Sequence, residues 1–510
     1  MCTIVHSPYP RVYGNRERCH EEPSAKSAEA CSPRQVNTCI VLYIGLAEEP
    51  ERPSRKPFAI LPPRHVSCKY RTEEEGAGPV CEKSAGGAPC TREGTFGMST
   101  TATIAAQAWQ DLGIPRSLIQ DLALKILYLQ GEISLRELAR HMRLSYSVLD
   151  DVFQRLRKDQ LCEVKGMVGS VHFITTTSAG KARAVELLML SQYAGPAPVS
   201  LENYSKRLLE QSIRNSTVGP ADVEHGFAHL VLSPQTLTQI GTAAVSGTSI
   251  FIYGPPGTGK TAIAETLPSL YHDSVWIPYA VEVDGQIITV FDSSVHEPLE
   301  TKPDEEADGR WVLCKRPRVI TGGELTIEML ELQFNPVTKF YAAPLQMKAN
   351  NGVLIIDDFG RQRVRPEEML NRWIVPLDRR IDYLTLSGGK KFEIPFDLFV
   401  AFATNLEPSQ LVDDAFLRRI ANKIKVDFVG REQFQAIFRG VCAQTGLDYD
   451  EAVVDHLIEL LGAKYKEPLR PCYPRDVVRQ VCWGAQYESK PPQLDAVSVE
   501  QACQRYFVSA

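Results

Sequence analysis

Apolar residues change their spacing along the chain, and these changes divide it into segments. Residues 1–97 show no sustained helical or strand period, whereas from residue 114 onward apolar positions recur at the three- and four-residue spacing of amphipathic helices. Farther along are three apolar runs, at residues 249–253, 353–356 and 398–403, and polar or glycine residues follow each of them. Such runs are typical of strands buried on both faces of a parallel sheet. The pattern predicts a helical N-terminal unit followed by an α/β unit.

The helical unit has the order of elements expected of a winged helix. An amphipathic helix is predicted within residues 114–131, and the capping-box sequence Ser134-x-x-Glu137 opens a second helix. A third helix follows after a short turn, and then two short strands are predicted around Gly166 and Gly169. We therefore assign residues 98–190 to an α+β domain that resembles a winged helix.

The charge of this domain leaves its partner open. Between Glu132 and Arg183 there are nine Lys or Arg and six Asp or Glu, which is a modest excess for neutralising phosphates. The third helix also carries Asp150 and Asp151 near its start, where base contacts normally lie. DNA binding is one interpretation. Protein docking or a purely structural role is the other, and the acidic helix start favours it.

Composition sets residues 1–97 apart from the rest of the chain. They are rich in Pro, Arg, Glu, Ser and Cys, and this composition predicts disorder. The alternative is that they are not native coding sequence and that translation starts at Met98. No cysteine pair in the chain has C-x-x-C spacing, which argues against a cysteine-ligated metal site.

Bulk properties exclude some classes of protein. The 510 residues are 44% hydrophobic and 23% charged, which is typical of soluble material in two to four domains. A formal net charge of -6 gives no global attraction to nucleic acid or anionic membranes. The apolar run at residues 39–47 is far shorter than the roughly 20 residues of a membrane span, and no signal-peptide layout precedes it. We expect a cytoplasmic protein without a membrane span.

The segment SIFIYGPPGTGKTAIAETL, residues 249–267, predicts a phosphate-binding loop between a strand and a helix. It fits the pattern G-x-x-x-x-G-K-[ST], in which glycines let the backbone N–H groups approach phosphate oxygens closely. Lys260 would bridge the β- and γ-phosphates of ATP, and Thr261 would bind Mg²⁺. The predicted nucleotide-binding residues of the loop are Gly254, Pro255, Pro256, Gly257, Thr258, Gly259, Lys260 and Thr261.

Two carboxylates and an amide follow the next two predicted strands. Asp357 and Asp358 end the run GVLIIDD, and Asn405 ends the run FDLFVAFATN. Since a phosphate-loop enzyme needs a carboxylate for its metal at the end of a neighbouring strand, we assign Asp357 to Mg²⁺. Asp358 is the candidate that polarises the attacking water, and Asn405 is the candidate that orients it.

These motifs, in this order, resemble those of the AAA+ ATPase family over residues 230–506. The correspondences are Walker A at residues 254–261, Walker B at residues 353–358, sensor 1 at Asn405, the arginine-finger region at Arg418 and Arg419, and sensor 2 at Arg475. The resemblance implies a P-loop α/β core at residues 230–428, a helical lid at residues 429–510 and a linker at residues 191–229. A helix and a β-hairpin before Asn405 are similar to those of MoxR-like members.

The resemblance also implies an activity and an assembly. AAA+ ATPases commonly work as homo-oligomeric rings, in which an arginine of one subunit reaches the γ-phosphate bound to its neighbour. MoxR-like members act on a protein partner, so we expect ATP hydrolysis coupled to remodelling or assembly of a protein client. A hairpin insertion near residues 277–310, with an Asp284-Gly285 turn and an acidic loop after it, is expected to face substrate or partner; a hairpin without a binding role is the alternative.

One residue departs from the family pattern. The position after the metal-side aspartate is usually Glu, and here it is Asp358, whose side chain is one methylene shorter. Its reach falls by about 1.5 Å, and misplacement on that scale costs on the order of a hundredfold in rate. Slow hydrolysis, a repositioned strand and a water relay are all open, so a slow or nonhydrolysing ATP switch is an alternative to the motor. The winged helix supports a second alternative, a nucleotide-gated regulator that binds DNA.

Overall fold

The computed structural model describes residues 109, 111–168, 171–300, 308–411 and 414–507. The segment for which the sequence predicts disorder, residues 1–97, lies outside the described residues. Across the part of the chain that is described, none of the helices combines the length and the apolar character needed to cross a membrane.

The N-terminal unit is a small α+β domain built from four helices and a three-stranded antiparallel sheet of order β1-β3-β2. The predicted capping box is present, because the Ser134 hydroxyl accepts the Glu137 N–H while the Glu137 carboxylate accepts the Ser134 N–H. The elements are α1 (Arg116–Gln130), β1 (Glu132–Ser134), α2 (Leu135–Met142), α3 (Tyr146–Lys158), β2 (Cys162–Val168), β3 (Val171–Thr176) and α4 (Ser178–Leu190). The structure adds β1, between the first two helices, to the helices and strands that the sequence predicts.

The remaining elements form a P-loop core, an inserted sheet and a helical lid. After the N-terminal unit come β4 (Val199–Ser200), α5 (Leu201–Glu210), α6 (Pro220–Gly226), α7 (Pro234–Ser246), β5 (Ser249–Tyr253), α8 (Lys260–Thr266), β6 (Ser274–Pro278), β7 (Ala280–Val283), β8 (Gln286–Thr289), β9 (Trp311–Lys315) and β10 (Arg318–Thr321). Next are β11 (Gln333–Phe334), β12 (Tyr341–Ala342), α9 (Leu345–Lys348), β13 (Val353–Ile356), α10 (Pro366–Arg379), β14 (Ile381–Thr385), β15 (Lys391–Pro395), β16 (Phe399–Thr404), α11 (Pro408–Leu411), α12 (Asp414–Leu417) and β17 (Asn422–Lys425). The lid consists of α13 (Arg431–Thr445), α14 (Glu451–Leu460), α15 (Tyr473–Tyr487) and α16 (Ala496–Tyr506).

The core is a five-stranded parallel sheet of order β10-β13-β16-β5-β17 with helices on both faces. Alternate residues of one strand enter different hydrophobic clusters, as the two-residue period of a strand requires. Ile250 and Ile252 pack with α7 and α8 on one face, whereas Phe251 packs with Trp373 of α10 on the other. The predicted fold class is confirmed: the apolar runs predict the parallel α/β sheet, and the family resemblance implies its P-loop core and helical lid.

A second, inserted sheet lies between the core and the N-terminal domain. Its order is β11-β12-β8-β7-β4, and β7 pairs with β8 in antiparallel register. Asp284 and Gly285 join them with φ angles of 55° and 77°, the backbone region that a two-residue hairpin turn requires. Strand β4 comes from the segment predicted as a linker, so that segment contributes to this sheet.

Ala280 and Ile287 of the inserted sheet pack in the core of the N-terminal domain, and the segment that leads into β9 contacts that domain through Arg310. This side chain is 2% exposed and forms an ion pair of 2.9 Å with the buried carboxylate of Asp308. Its guanidinium also donates hydrogen bonds to the carbonyl oxygens of Leu112 and Pro198, at 3.3 and 3.2 Å. One buried cation therefore connects the chain before α1, the chain before β4 and the segment that leads into β9.

Candidate nucleotide site

The phosphate loop lies at the carboxyl end of β5, and three of its glycines have positive φ angles. These are 142° at Gly254, 78° at Gly257 and 92° at Gly259. A Cβ atom at Gly254 would overlap the backbone carbonyl oxygen of Val426, and one at Gly257 would lie 2.7 Å from the Cys472 sulfur. Gly254 and Gly257 thus need glycine for conformation and for space, whereas a Cβ at Gly259 meets no heavy atom within 4 Å.

Lys260 is the first residue of α8, and its side chain lies within the loop. Its Nζ donates hydrogen bonds to the Pro255 carbonyl oxygen at 2.7 Å and to the Thr258 hydroxyl at 3.5 Å. Burial lowers the pKa of Lys260 from its usual value, while the carboxylates of Asp357 and Asp358 act in the opposite direction. The ammonium group is therefore inside the loop, with two carboxylates close enough to influence it.

The two residues predicted to bind Mg²⁺ are in direct contact. The Thr261 hydroxyl donates a hydrogen bond of 3.1 Å to Oδ1 of Asp357, although 96 residues separate them in the chain. Their elements meet because α8 follows β5 and Asp357 follows β13, and both strands end at the same edge of the sheet. A hydroxyl and a carboxylate oxygen are the protein ligands that Mg²⁺ takes in phosphate-loop enzymes, so the donor set fits this ion.

The two residues predicted to act on water are also in contact. The Asn405 amide donates a hydrogen bond of 3.0 Å from Nδ2 to Oδ1 of Asp358. Asp358 has a φ angle of 48°, the left-handed backbone region that non-glycine residues occupy infrequently. Its side chain is exposed, which gives the carboxylate access to water. Asp358 is therefore a carboxylate oriented by an amide at the mouth of the phosphate loop.

Arg418 and Arg419 lie near the amino-terminal ends of the strands, whereas the phosphate loop lies at the carboxyl ends. They precede β17, whose first residue Asn422 pairs with Ile250 at the beginning of β5. A strand of this length separates them from the phosphate loop by about 15 Å along the sheet. Arg419 forms an ion pair of 2.9 Å with Asp378 of α10, whereas Arg418 is exposed. Within one chain the two arginines are not brought to the loop.

The lid contacts the phosphate loop at the beginning of α15. The Cys472 N–H donates to the Gly257 carbonyl oxygen at 3.2 Å, and a Cβ at Gly257 would lie 3.4 Å from Cδ of Arg470. Arg475 lies one helical turn beyond Cys472, is 58% exposed and pairs with its neighbour Asp476 at 3.2 Å. Sequence reasoning missed Arg470 and Cys472, because nothing in their local pattern indicates which loop they meet.

Comparisons with known proteins add little to this description. A family described as a domain of unknown function, DUF8689, matches residues 430–505, which is the lid alone. No curated protein matches the chain.

Among solved structures, the Holliday junction branch migration motor RuvB of Thermotoga maritima is 14% identical with a TM-score of 0.31, over 57% of this chain and 72% of that one. NtrX of Brucella abortus in complex with ATP is 14% identical with a TM-score of 0.33, over 53% of this chain and 58% of that one. At these values the likeness supports no conclusion about function, and the assignment of the fold rests on the strand order and the phosphate loop.

Proposed function

We propose that this chain is an ATP hydrolase of the AAA+ type. The observation that carries the proposal is the meeting of two pairs, Thr261 with Asp357 and Asp358 with Asn405, beside the phosphate loop. Residues from three separate parts of the sequence supply the groups that in-line attack of water on a γ-phosphate requires. Nothing in the packing of the sheet alone requires polar side chains to pair there.

Each group has a distinct part in the proposed reaction. The N–H groups of the loop and the Lys260 ammonium would bind the phosphates, and Thr261 and Asp357 would hold Mg²⁺, which supplies charge neutralisation when bound. Asp358 accepts a proton from water while Asn405 fixes the direction of its carboxylate.

The test is ATP binding and turnover by the full chain and three variants. We expect Lys260→Ala to weaken ATP binding, and Asp358→Asn to keep binding while it abolishes turnover. Asp448→Asn is the matched control, because it makes the same chemical change at an exposed position in the lid. Absence of turnover in the wild type that still binds ATP would favour the nonhydrolysing switch, and unchanged turnover in Asp358→Asn would show that the base lies elsewhere.

We further propose that the enzyme works as a homo-oligomeric ring. Support comes from Arg418, which is exposed at the sheet edge opposite to the phosphate loop and so is available to a neighbouring subunit. Arg418→Ala should leave ATP affinity unchanged and lower turnover, and size measurement by analytical ultracentrifugation with and without ATP tests the assembly itself. A monomer under both conditions with full turnover would contradict the ring.

From the MoxR-like pattern we propose that the client is a protein and that the inserted sheet contacts it.

A second candidate function is a nucleotide-gated DNA-binding regulator. It is favoured by a cavity of about 580 Å³ lined by Arg136, Arg140 and Tyr146, in which neither arginine has an ion-pair partner among the described residues. Duplex binding that weakens with salt and survives Lys260→Ala would support it. Absence of binding at low salt would remove it.

A further inference from the structure

The loop that follows β13 holds its catalytic candidate in an unfavourable backbone conformation. Asp358 has a φ angle of 48°, and Gly360, two residues later, has a φ angle of 101°. A glycine adopts such a conformation without steric cost, whereas an aspartate does so only when its surroundings determine it. Asp and Asn are nevertheless the residues other than glycine that tolerate this region best, since their side chains are short and polar.

Gln362 bonds to the backbone on both sides of Asp358. Its Nε2 donates a hydrogen bond of 2.8 Å to the carbonyl oxygen of Asp357, and its Oε1 accepts one of 2.7 Å from the Gly360 N–H. One amide side chain thus connects the Asp357 carbonyl group to the Gly360 N–H, on either side of Asp358 and Phe359. A side chain without both a donor and an acceptor would leave at least one of these bonds unmade.

The neighbouring strand holds the centre of the same loop. The Phe359 N–H donates to the Ala403 carbonyl oxygen at 2.8 Å, and the Thr404 hydroxyl donates to the Phe359 carbonyl oxygen at 2.7 Å. Phe359 is therefore attached to β16, the strand that also ends in Asn405. The relative position of Asp358 and Asn405 depends on this attachment together with the bonds that Gln362 makes.

We propose that Gln362 is a positioning residue for hydrolysis, which holds Asp358 in the left-handed conformation and so directs its carboxylate to Asn405 and the attacking water. This inference rests on the proposed ATPase function. It also accounts for the presence of aspartate, and not glutamate, at position 358, because aspartate tolerates a positive φ angle better than glutamate does. Within the described part of the chain, the side-chain bonds of Gln362 end on backbone atoms of the loop after β13 and not on the phosphate loop.

The kinetic test uses Gln362→Met in the full chain, since methionine keeps the length and removes both hydrogen bonds. We expect kcat to fall on the order of tenfold to a hundredfold, the range that a displacement of about 1 Å produces, while ATP affinity changes by less than about twofold. An unchanged kcat, or a fall in kcat with an equal loss of ATP affinity, overturns the proposal, because either result shows that Gln362 does not act on the water-side carboxylate alone.

A double-mutant cycle establishes whether Gln362 acts through Asp358. In the Asn405→Ala background, where Asp358 has lost the amide to which Gln362 directs it, Gln362→Met should lower turnover by a smaller factor than it does in the wild type. Additive losses in the two single variants and the double variant would show a separate role for Gln362 and would overturn the proposal.

A thermal unfolding cycle tests the same contact without any turnover. Gln362→Met should lower the unfolding temperature in the wild-type background, and lower it less in the Asp358→Gly background, where positive φ has no steric cost. Equal decreases in both backgrounds overturn the inference. If the wild type shows no ATP turnover, the proposed function fails while this cycle still decides whether Gln362 maintains the conformation of Asp358.

Discussion

Replacing each of the three phosphate-loop glycines by alanine should destabilise the protein to a different degree. The structure predicts that the loss of stability increases from Gly259 to Gly257 to Gly254. Alanine at Gly259, where φ is 92° and no atom lies within 4 Å, incurs only the left-handed conformational cost of about 1–2 kcal/mol. Alanine at Gly257 adds a clash with the Cys472 sulfur at 2.7 Å. Displacing a packed side chain costs about 1–3 kcal/mol, so the total is about 2–5 kcal/mol.

Gly254→Ala should be the most destabilising of the three. Its Cβ would overlap the Val426 carbonyl oxygen, which belongs to the backbone that leaves β17 and so moves only if the sheet edge moves with it. The clash at Gly257 differs because its partner is a side chain on the lid. Removing that sulfur with Cys472→Ala should bring the stability of Gly257→Ala close to that of Gly259→Ala. The same change should not raise the stability of Gly254→Ala or Gly259→Ala.

The assay is thermal unfolding of the full chain and its variants without nucleotide, with Cys472→Ala alone as the control for the loss of the thiol. A change of 1 kcal/mol moves the midpoint by roughly 2–4 °C in domains of about 150–250 residues, so the three variants are distinguishable. Equal midpoints for Gly257→Ala with and without Cys472→Ala would refute the claim that the lid packs directly on the phosphate loop.

Three further predictions concern the rest of the chain. Arg310→Met should destabilise the protein by about 3–5 kcal/mol because it leaves the Asp308 carboxylate buried and unpaired, and Asp308→Asn in the same chain should recover part of the loss in chemical denaturation. Burial lowers the pKa of Lys125 to about 8, a difference from its usual value worth about 3 kcal/mol. The unfolded chain therefore binds more protons than the folded one from pH 8 to above 10, so stability should rise with pH in that window, and Lys125→Met should lack the rise when the two denaturation profiles are compared. Asp358→Glu should not increase ATP turnover, because the longer acid is less suited to a φ angle of 48°; a faster enzyme in a steady-state assay would contradict the role assigned to that conformation.

The parts of the site that lie within a few residues of one another were predictable. The phosphate loop is a local motif, since the glycines, Lys260 and Thr261 act through the backbone on which they lie. Asp357 and Asn405 were predictable for a second reason, because the carboxyl ends of parallel strands meet at one edge. The observed contacts of Thr261 with Asp357 and of Asn405 with Asp358 follow from that rule.

The residues that join separate parts of the fold were not predictable. Gln362 reads as an ordinary polar residue in a loop, and its two bonds depend on a backbone conformation that the local pattern does not indicate. Cys472 belongs to no C-x-x-C pair that would single it out, although it lies close to Gly257, and Arg310 follows a loop that the sequence marks only by its acidity. In each case the partner is distant in sequence or depends on the exact course of the chain.

The sequence by itself determined the class of fold and the chemical groups available for a reaction, because apolar periodicity and glycine placement act over a single strand, turn or helix. Only the tertiary structure decided the contacts that the strand-end rule does not supply. It placed Arg418 at the sheet edge opposite to the phosphate loop, brought the lid onto Gly257, and put Asp358 in a left-handed conformation between Gln362 and Asn405. The positions of Arg418 and the lid and the contact of Asp358 with Asn405 join segments about 50 to 200 residues apart, and the pairing of such distant groups leaves no periodic trace in the chain. The bonds of Gln362 lie within one loop and depend on its backbone conformation.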